Sequence, residues 1–99
     1  MGVGWFSSPK GSGWYRRSAD VKAVSHGDKI VLMNLRSEQF YSLDGVACRA
    51  WDLLEEPATS VGLTDRIADE FDAPRDEIMH DLDGLLAGML KDGLVREVR

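Results

Sequence analysis

Cys48, His26 and His80 are the side chains of this sequence best suited to nucleophilic, acid–base or metal chemistry, and their spacing serves none of it. A structural zinc site needs about four ligands, usually Cys and His a few residues apart. Here the two histidines stand alone and Cys48 has no second cysteine at any spacing. Cys48 follows Ala47 beside an apolar helix face, which suits a partly buried, unreactive thiol. Serine, histidine and aspartate are all present, but nothing in the pattern places them as a triad. The phosphate loops GxxxxGK[ST] and GxGxxG are absent, and "GWFSSPKGSG" has its glycines and lysine at the wrong spacing. These residues predict no catalysis, no metal and no cofactor. A strand edge and the surfaces of helices are left to carry function.

The chain has 99 residues, enough for one domain with a modest core. Hydrophobic residues make up 43% and charged residues 29%, as in ordinary soluble domains. No run of about 18 apolar residues could span a membrane. The N-terminus lacks the charged and apolar regions of a signal peptide, and a single cysteine fits a reducing, cytoplasmic setting. The net charge is −5, with carboxylates concentrated from Glu55 to Asp92. That balance disfavours a nucleic-acid partner, whose phosphates call for a basic face, and favours a basic one.

The elements that must carry any site follow from pattern. Residues 1–19 are rich in Gly and Ser and predict a flexible arm; Trp5, Phe6, Trp14 and Tyr15 predict that part of it sticks to something. Residues 20–99 form one domain. "VKAVS" and "KIVLMNL" flank the turn cluster "HGD", and "LRSE" leads into "QFYSL". Short connections predict an antiparallel meander, the second strand central and the third at an edge. Asp44 is the expected N-cap of a helix whose apolar face is Ala47, Ala50, Trp51 and Leu54, at i, i+3, i+4 and i+7. Glu55, Glu56 and Pro57 end it. A second helix begins between Ser60 and Thr64 and buries Leu63, Ile67 and Phe71.

Pro74 suits the first position of a third helix, spanning Arg75 to Asp92. Ile78, Leu82, Leu85 and Met89 form one stripe along it; Met79, Leu86 and Leu90, with Asp83 in line, form a second. Gly93 fits the left-handed position past the helix end, with Leu94 packing back, and "LVREV" adds a short extended segment. The order predicts an α+β fold, winged helix-turn-helix-like, with a three-stranded antiparallel sheet followed by three helices.

Two features rise above this background. "QFYSL" is an edge strand without the lysine or proline that usually blunts an edge, so it can accept another chain by strand addition. The second stripe of the third helix can then wall a groove beside that edge. The expected peptide-binding residues are Glu38, Gln39, Phe40, Tyr41, Ser42 and Leu43 on the edge. On the helix they are Asp76, Met79, Asp83, Leu86 and Leu90, the two carboxylates facing lysines of the peptide. Alternation puts Tyr41 and Leu43 on one face, expected to be core, and Phe40 and Ser42 on the other. A winged-helix DNA-binding protein is the main rival; its recognition helix would present Asp76, Glu77, Asp81, Asp83 and Asp92 to phosphates. A strand-pairing oligomerisation module is the second.

"FYSLDGVACRAWDLL" followed by "SVGLTDRIADEFDAPRDEIMHDLDGLLAGMLKDGLV" resembles the PqqD family, whose members include RiPP recognition elements. The resemblance runs from Val21 to Val95. It rests on Tyr41 and Leu43 ending a strand, the Asp44-Gly45 turn, Trp51 on the next helix and Gly93-Leu94 closing the last. Many members carry Asn where this chain has Asp44. The resemblance implies a cytoplasmic adaptor that binds the leader segment of a ribosomally made precursor peptide. Its general look is similar to the stand-alone proteins of lasso-peptide biosynthesis. That implies a leader peptidase as partner, with a cyclase as a further candidate, and neither nucleic acid nor membrane. Phe6-Ser7-Ser8-Pro9 has the aromatic-x-x-Pro spacing of lasso leaders, a motif short enough to arise by chance.

Overall fold

The computed structural model describes residues 13–98. Trp5, Phe6 and the Phe6–Pro9 motif lie outside the described residues. The elements run β1 (Trp14–Arg17), β2 (Val21–His26), β3 (Lys29–Asn34), β4 (Gln39–Leu43), α1 (Gly45–Leu53), β5 (Ala58–Thr59), α2 (Ser60–Phe71), α3 (Arg75–Lys91) and β6 (Val95–Val98). The antiparallel meander β2-β3-β4, followed by three helices, is the winged helix-turn-helix-like α+β arrangement expected from sequence. β3 is central and β4 is an edge.

β2 and β3 meet at a two-residue turn, with His26 opposite Lys29 and Gly27 at φ +66°, a conformation that favours glycine. Alternation along β3 turns Ile30, Leu32 and Asn34 into the core. Leu32 belongs there to one buried cluster with Ala50, Trp51, Leu54, Leu63, Ile67, Leu82 and Leu86. The expected apolar faces of α1 and α2 are buried, except that Ala47 is half-buried and Phe71, at the last position of α2, is 43% exposed. Asp44 takes the N-cap position of α1 but makes no side-chain capping bond; its backbone carbonyl accepts from Cys48 N instead. Pro74 stands just before the first helical residue of α3. Thr59 caps α2 through Gly62 N at 3.0 Å.

One sheet was not anticipated. Trp14–Arg17, expected to belong to a flexible arm, form the middle strand of a second sheet, β5-β1-β6. Its partners are distant in sequence: Tyr15 pairs with Glu97 on one side and with Ala58 on the other. Arg17 continues the anchorage. Its guanidinium donates to the Trp51 carbonyl at 2.6 and 3.0 Å and lies over the Trp51 ring at 4.7 Å. Backbone pairing and this cation–π contact offset the ordering cost of β1.

α3 ends as predicted. Leu94 N donates to Met89 O and Gly93 N to Leu90 O, with Gly93 at φ +74° and Leu94 buried. Beside this turn stands Asn34, 5% exposed. Its Nδ2 donates to the Asp92 carbonyl at 2.8 Å, and its Oδ1 accepts from Arg36 N at 2.9 Å and Ser37 N at 3.3 Å. A Cβ added to Gly93 would fall 2.9 Å from Asn34 Nδ2. Urea unfolding should therefore show Asn34→Ala destabilised by about 1–3 kcal/mol, the cost of leaving buried partners unsatisfied. Gly93→Ala should also be destabilised, by strain at positive φ and by the close approach to Asn34. Wild-type stability in both variants would remove this clamp from the account.

Candidate functional site

β4 pairs with β3 along one side, from Ile30–Leu43 to Asn34–Gln39, and its other side has no strand partner among the described residues. That open side runs beside α3. Between them lies a cleft of about 350 Å³, with Tyr41, Ser42 and Leu43 on the strand wall and Gly84, Leu85, Gly88 and Met89 on the helix wall. Asp92 and Leu94 close one end. Backbone N–H and C=O groups along an open edge offer hydrogen bonds to any extended chain, and the apolar wall offers pockets for alternate side chains.

The glycines shape the helix wall. Glycine inside an exposed helix costs roughly 1 kcal/mol relative to alanine. Gly84 and Gly88 are not required by backbone conformation, since neither has positive φ, and a Cβ at either would meet nothing within 4 Å. Nothing inside the domain needs these positions bare. One turn apart on the same flank, they leave room for something that comes from outside.

The sequence-predicted site residues divide. Glu38 sits in the β3–β4 turn at φ +62°, and Gln39 to Leu43 form the open strand. Leu43 is buried and Tyr41 half-buried against the core, as expected. Phe40, 65% exposed, points away from the cleft on the outer face of the sheet. The helix residues fall elsewhere. At about 100° per residue, 79, 83, 86 and 90 lie nearly opposite 84, 85, 88 and 92. Leu86 is core at 1% exposure, and Met79 and Leu90 are half-buried outside the cleft. Asp83 Oδ1 accepts from Ser60 Oγ at 2.8 Å, on the side of the helix that faces α2. Asp76 is exposed in the first turn of α3. Leu85, from the first stripe, and the two glycines take the places expected of the second stripe.

A second hollow of about 410 Å³ lies between Trp14, Leu53, Pro57 and Leu63, rimmed by Asp52, Glu55 and Glu56. The strand beside it, β5, is two residues long, too short to pair with an extended peptide. Among the described residues no group of three or more His, Cys, Asp or Glu could hold a metal ion, and no helix is long and apolar enough to cross a membrane. On α3, Arg75 is engaged with Asp65 at 2.8 Å, which leaves that helix still more acidic towards a phosphate backbone.

An open strand edge over a helix-walled cleft, in a winged helix-turn-helix, defines a recognition domain of the PqqD type. The chain belongs to the PqqD family: the family model described as Coenzyme PQQ synthesis protein D (PqqD) matches residues 29–95. Two solved chains share the fold. One is described as TbiB1 in complex with the TbiA(beta) leader peptide; it is 27% identical, with 85% of this chain and 98% of that chain covered and a TM-score of 0.78. The other, a lasso peptide synthetase B1 complexed with the leader peptide, is 16% identical, with 82% and 95% covered and a TM-score of 0.72. No curated protein matches the chain.

Cys48 is half-buried on α1. Burial pushes its thiol pKa up, and the carboxylates of Asp52, Asp28 and Asp44 push it the same way. A raised pKa leaves less thiolate at neutral pH. Iodoacetamide should therefore alkylate Cys48 more slowly than free cysteine at pH 8, with the rate still rising at pH values where free cysteine has levelled off. Alkylation faster than free cysteine would mark an activated thiol and contradict this assignment.

Proposed function

We propose that this chain binds the leader segment of a ribosomally synthesised precursor peptide. The leader adds as an antiparallel strand to β4, and the chain delivers the bound precursor to a leader peptidase, and to a cyclase, for lasso-peptide maturation. The observation that carries this reading is the open edge of β4 lying along the glycine-flanked cleft of α3, in a PqqD family member. A 27%-identical relative described in complex with a leader peptide supports the class of ligand. The role is that of an adaptor: it raises the effective concentration of substrate at an enzyme and does no chemistry itself.

The faces of β4 decide which leader side chains matter. Tyr41 and Leu43 point to the side of the sheet that borders α3. Leader residues sharing that face enter the cleft, and their neighbours point outward. Large apolar or aromatic anchors suit the space over Gly84 and Gly88, where the helix presents backbone rather than side chain. Asp92 at the end of the cleft favours a basic leader residue there. Roughly four backbone hydrogen bonds give about 0.5–1.5 kcal/mol each. Two buried anchors add about 1.5–3 kcal/mol each. Ordering the leader subtracts several kcal/mol. The balance reaches at most about 10 kcal/mol, which admits micromolar affinity and falls short of nanomolar.

Fluorescence-polarisation titration against the leader peptides encoded beside the gene tests this reading. Gly88→Leu should weaken leader binding at least tenfold by filling the cleft. Its helix should be at least as stable, since leucine has the better helix propensity. Met79→Ala, outside the cleft, should leave affinity within about threefold, a change of under ~1 kcal/mol. Unchanged binding by Gly88→Leu would refute the cleft as the site.

A further inference from the structure

The face of the β2-β3-β4 sheet turned away from the helices is bare among the described residues, and its composition is unlike the rest of the molecule. Register and alternation place Lys22, Met33 and Phe40 in one row across it, Val24, Val31 and Ser42 in the next, and His26 and Lys29 in a third. Val24 is 58% and Phe40 65% exposed, with Val31 and Met33 half-buried between them. No strand position on this face carries a carboxylate, in a chain whose net charge is −5. The carboxylates nearest in sequence, Asp20, Asp28, Glu38 and Asp44, all stand outside the three strands, Asp28 and Glu38 in the two hairpin turns. Lys22 and Lys29 take part in none of the ion pairs among the described residues. An apolar centre between uncommitted lysines is the pattern of a protein-docking surface.

We propose that this outer sheet face docks the enzyme that processes the bound leader, through a patch on that enzyme with an apolar centre ringed by carboxylates. The proposal rests on the leader-binding reading above. Charge decides the chemistry of the partner: lysines flank the apolar rows, so the complementary surface is acidic. Position decides which partner. A leader strand added to β4 extends the same sheet, and its outward side chains lie next to Phe40. An enzyme seated here touches adaptor and leader together. An extended anionic lipid surface fits less well, because it would meet the repulsion of the whole acidic molecule.

The test uses the full chain saturated with its leader, titrated calorimetrically with the leader peptidase encoded beside the gene. Two variants, Val24→Glu and the double variant Lys22→Glu/Lys29→Glu, change only β2 and β3, away from the cleft. Both should weaken peptidase binding at least tenfold, keep leader affinity within twofold, and melt within a few degrees of the wild type. Raised salt should weaken wild-type peptidase binding as well. Peptidase binding unchanged in both variants overturns the proposal. So does variant-sensitive self-association in sedimentation, which assigns the face to a second copy, or variant-sensitive binding to phosphatidylserine vesicles, which assigns it to lipid. Failure of the wild type to bind any leader is read separately, in the titration without enzyme; it refutes the leader-binding role and this proposal with it.

Discussion

One side chain holds the two walls of the cleft together. Asn34 ends β3, and its amide reaches both the turn that launches β4 and the carbonyl at the end of α3. The edge strand and the helix that faces it are therefore fixed by a single buried polar group. Such a group is costly unless its polar atoms are partnered, and here both the amide nitrogen and the oxygen are; among the described residues no buried side-chain polar atom lacks a partner. Gly93 permits the arrangement, because any side chain there would press on Asn34. The width of the cleft is thus set by geometry that tolerates few alternatives, which suits a site that must be ready before an extended chain arrives.

The second sheet braces the same unit from behind. α1 has no basic residue in its last turn, yet its terminal carbonyls need donors. Arg17 supplies them from β1 and covers the Trp51 ring. β1 is held in turn by β6, which begins directly after the Gly93 turn. A short chain cannot rely on core volume alone. Here β6, β1 and the Trp51 helix lock one another, so the outer side of β4 can stay unpaired without loosening the fold.

Much of this was legible in the sequence, because the signals were local. Short strand runs separated by turn residues and joined by short connections pointed to the meander, and Gly93-Leu94 to the end of α3. β1 was hidden because its strand character comes from partners far along the chain, at Ala58 and Val95–Val98, while its neighbours in sequence are glycine and serine. The edge was legible and the helix wall was not. A search for apolar stripes finds the large side chains that fill a core, and so it selected Met79, Leu86 and Leu90 as lining. The cleft is instead made where side chains are missing. Gly84 and Gly88, one turn apart inside an otherwise well-formed helix, were the available signal, since each lowers helix stability without a structural return.

The central claim is that an extended peptide pairs with the open side of β4. Hydrogen–deuterium exchange of the full chain, with and without a saturating leader peptide, tests it most directly. The account predicts new protection in Gln39–Leu43 and in the facing turns of α3 around Gly84 and Gly88, with little change along β2. Protection centred instead on the hollow between Trp14, Leu53 and Leu63, with β4 exchanging as before, would contradict it.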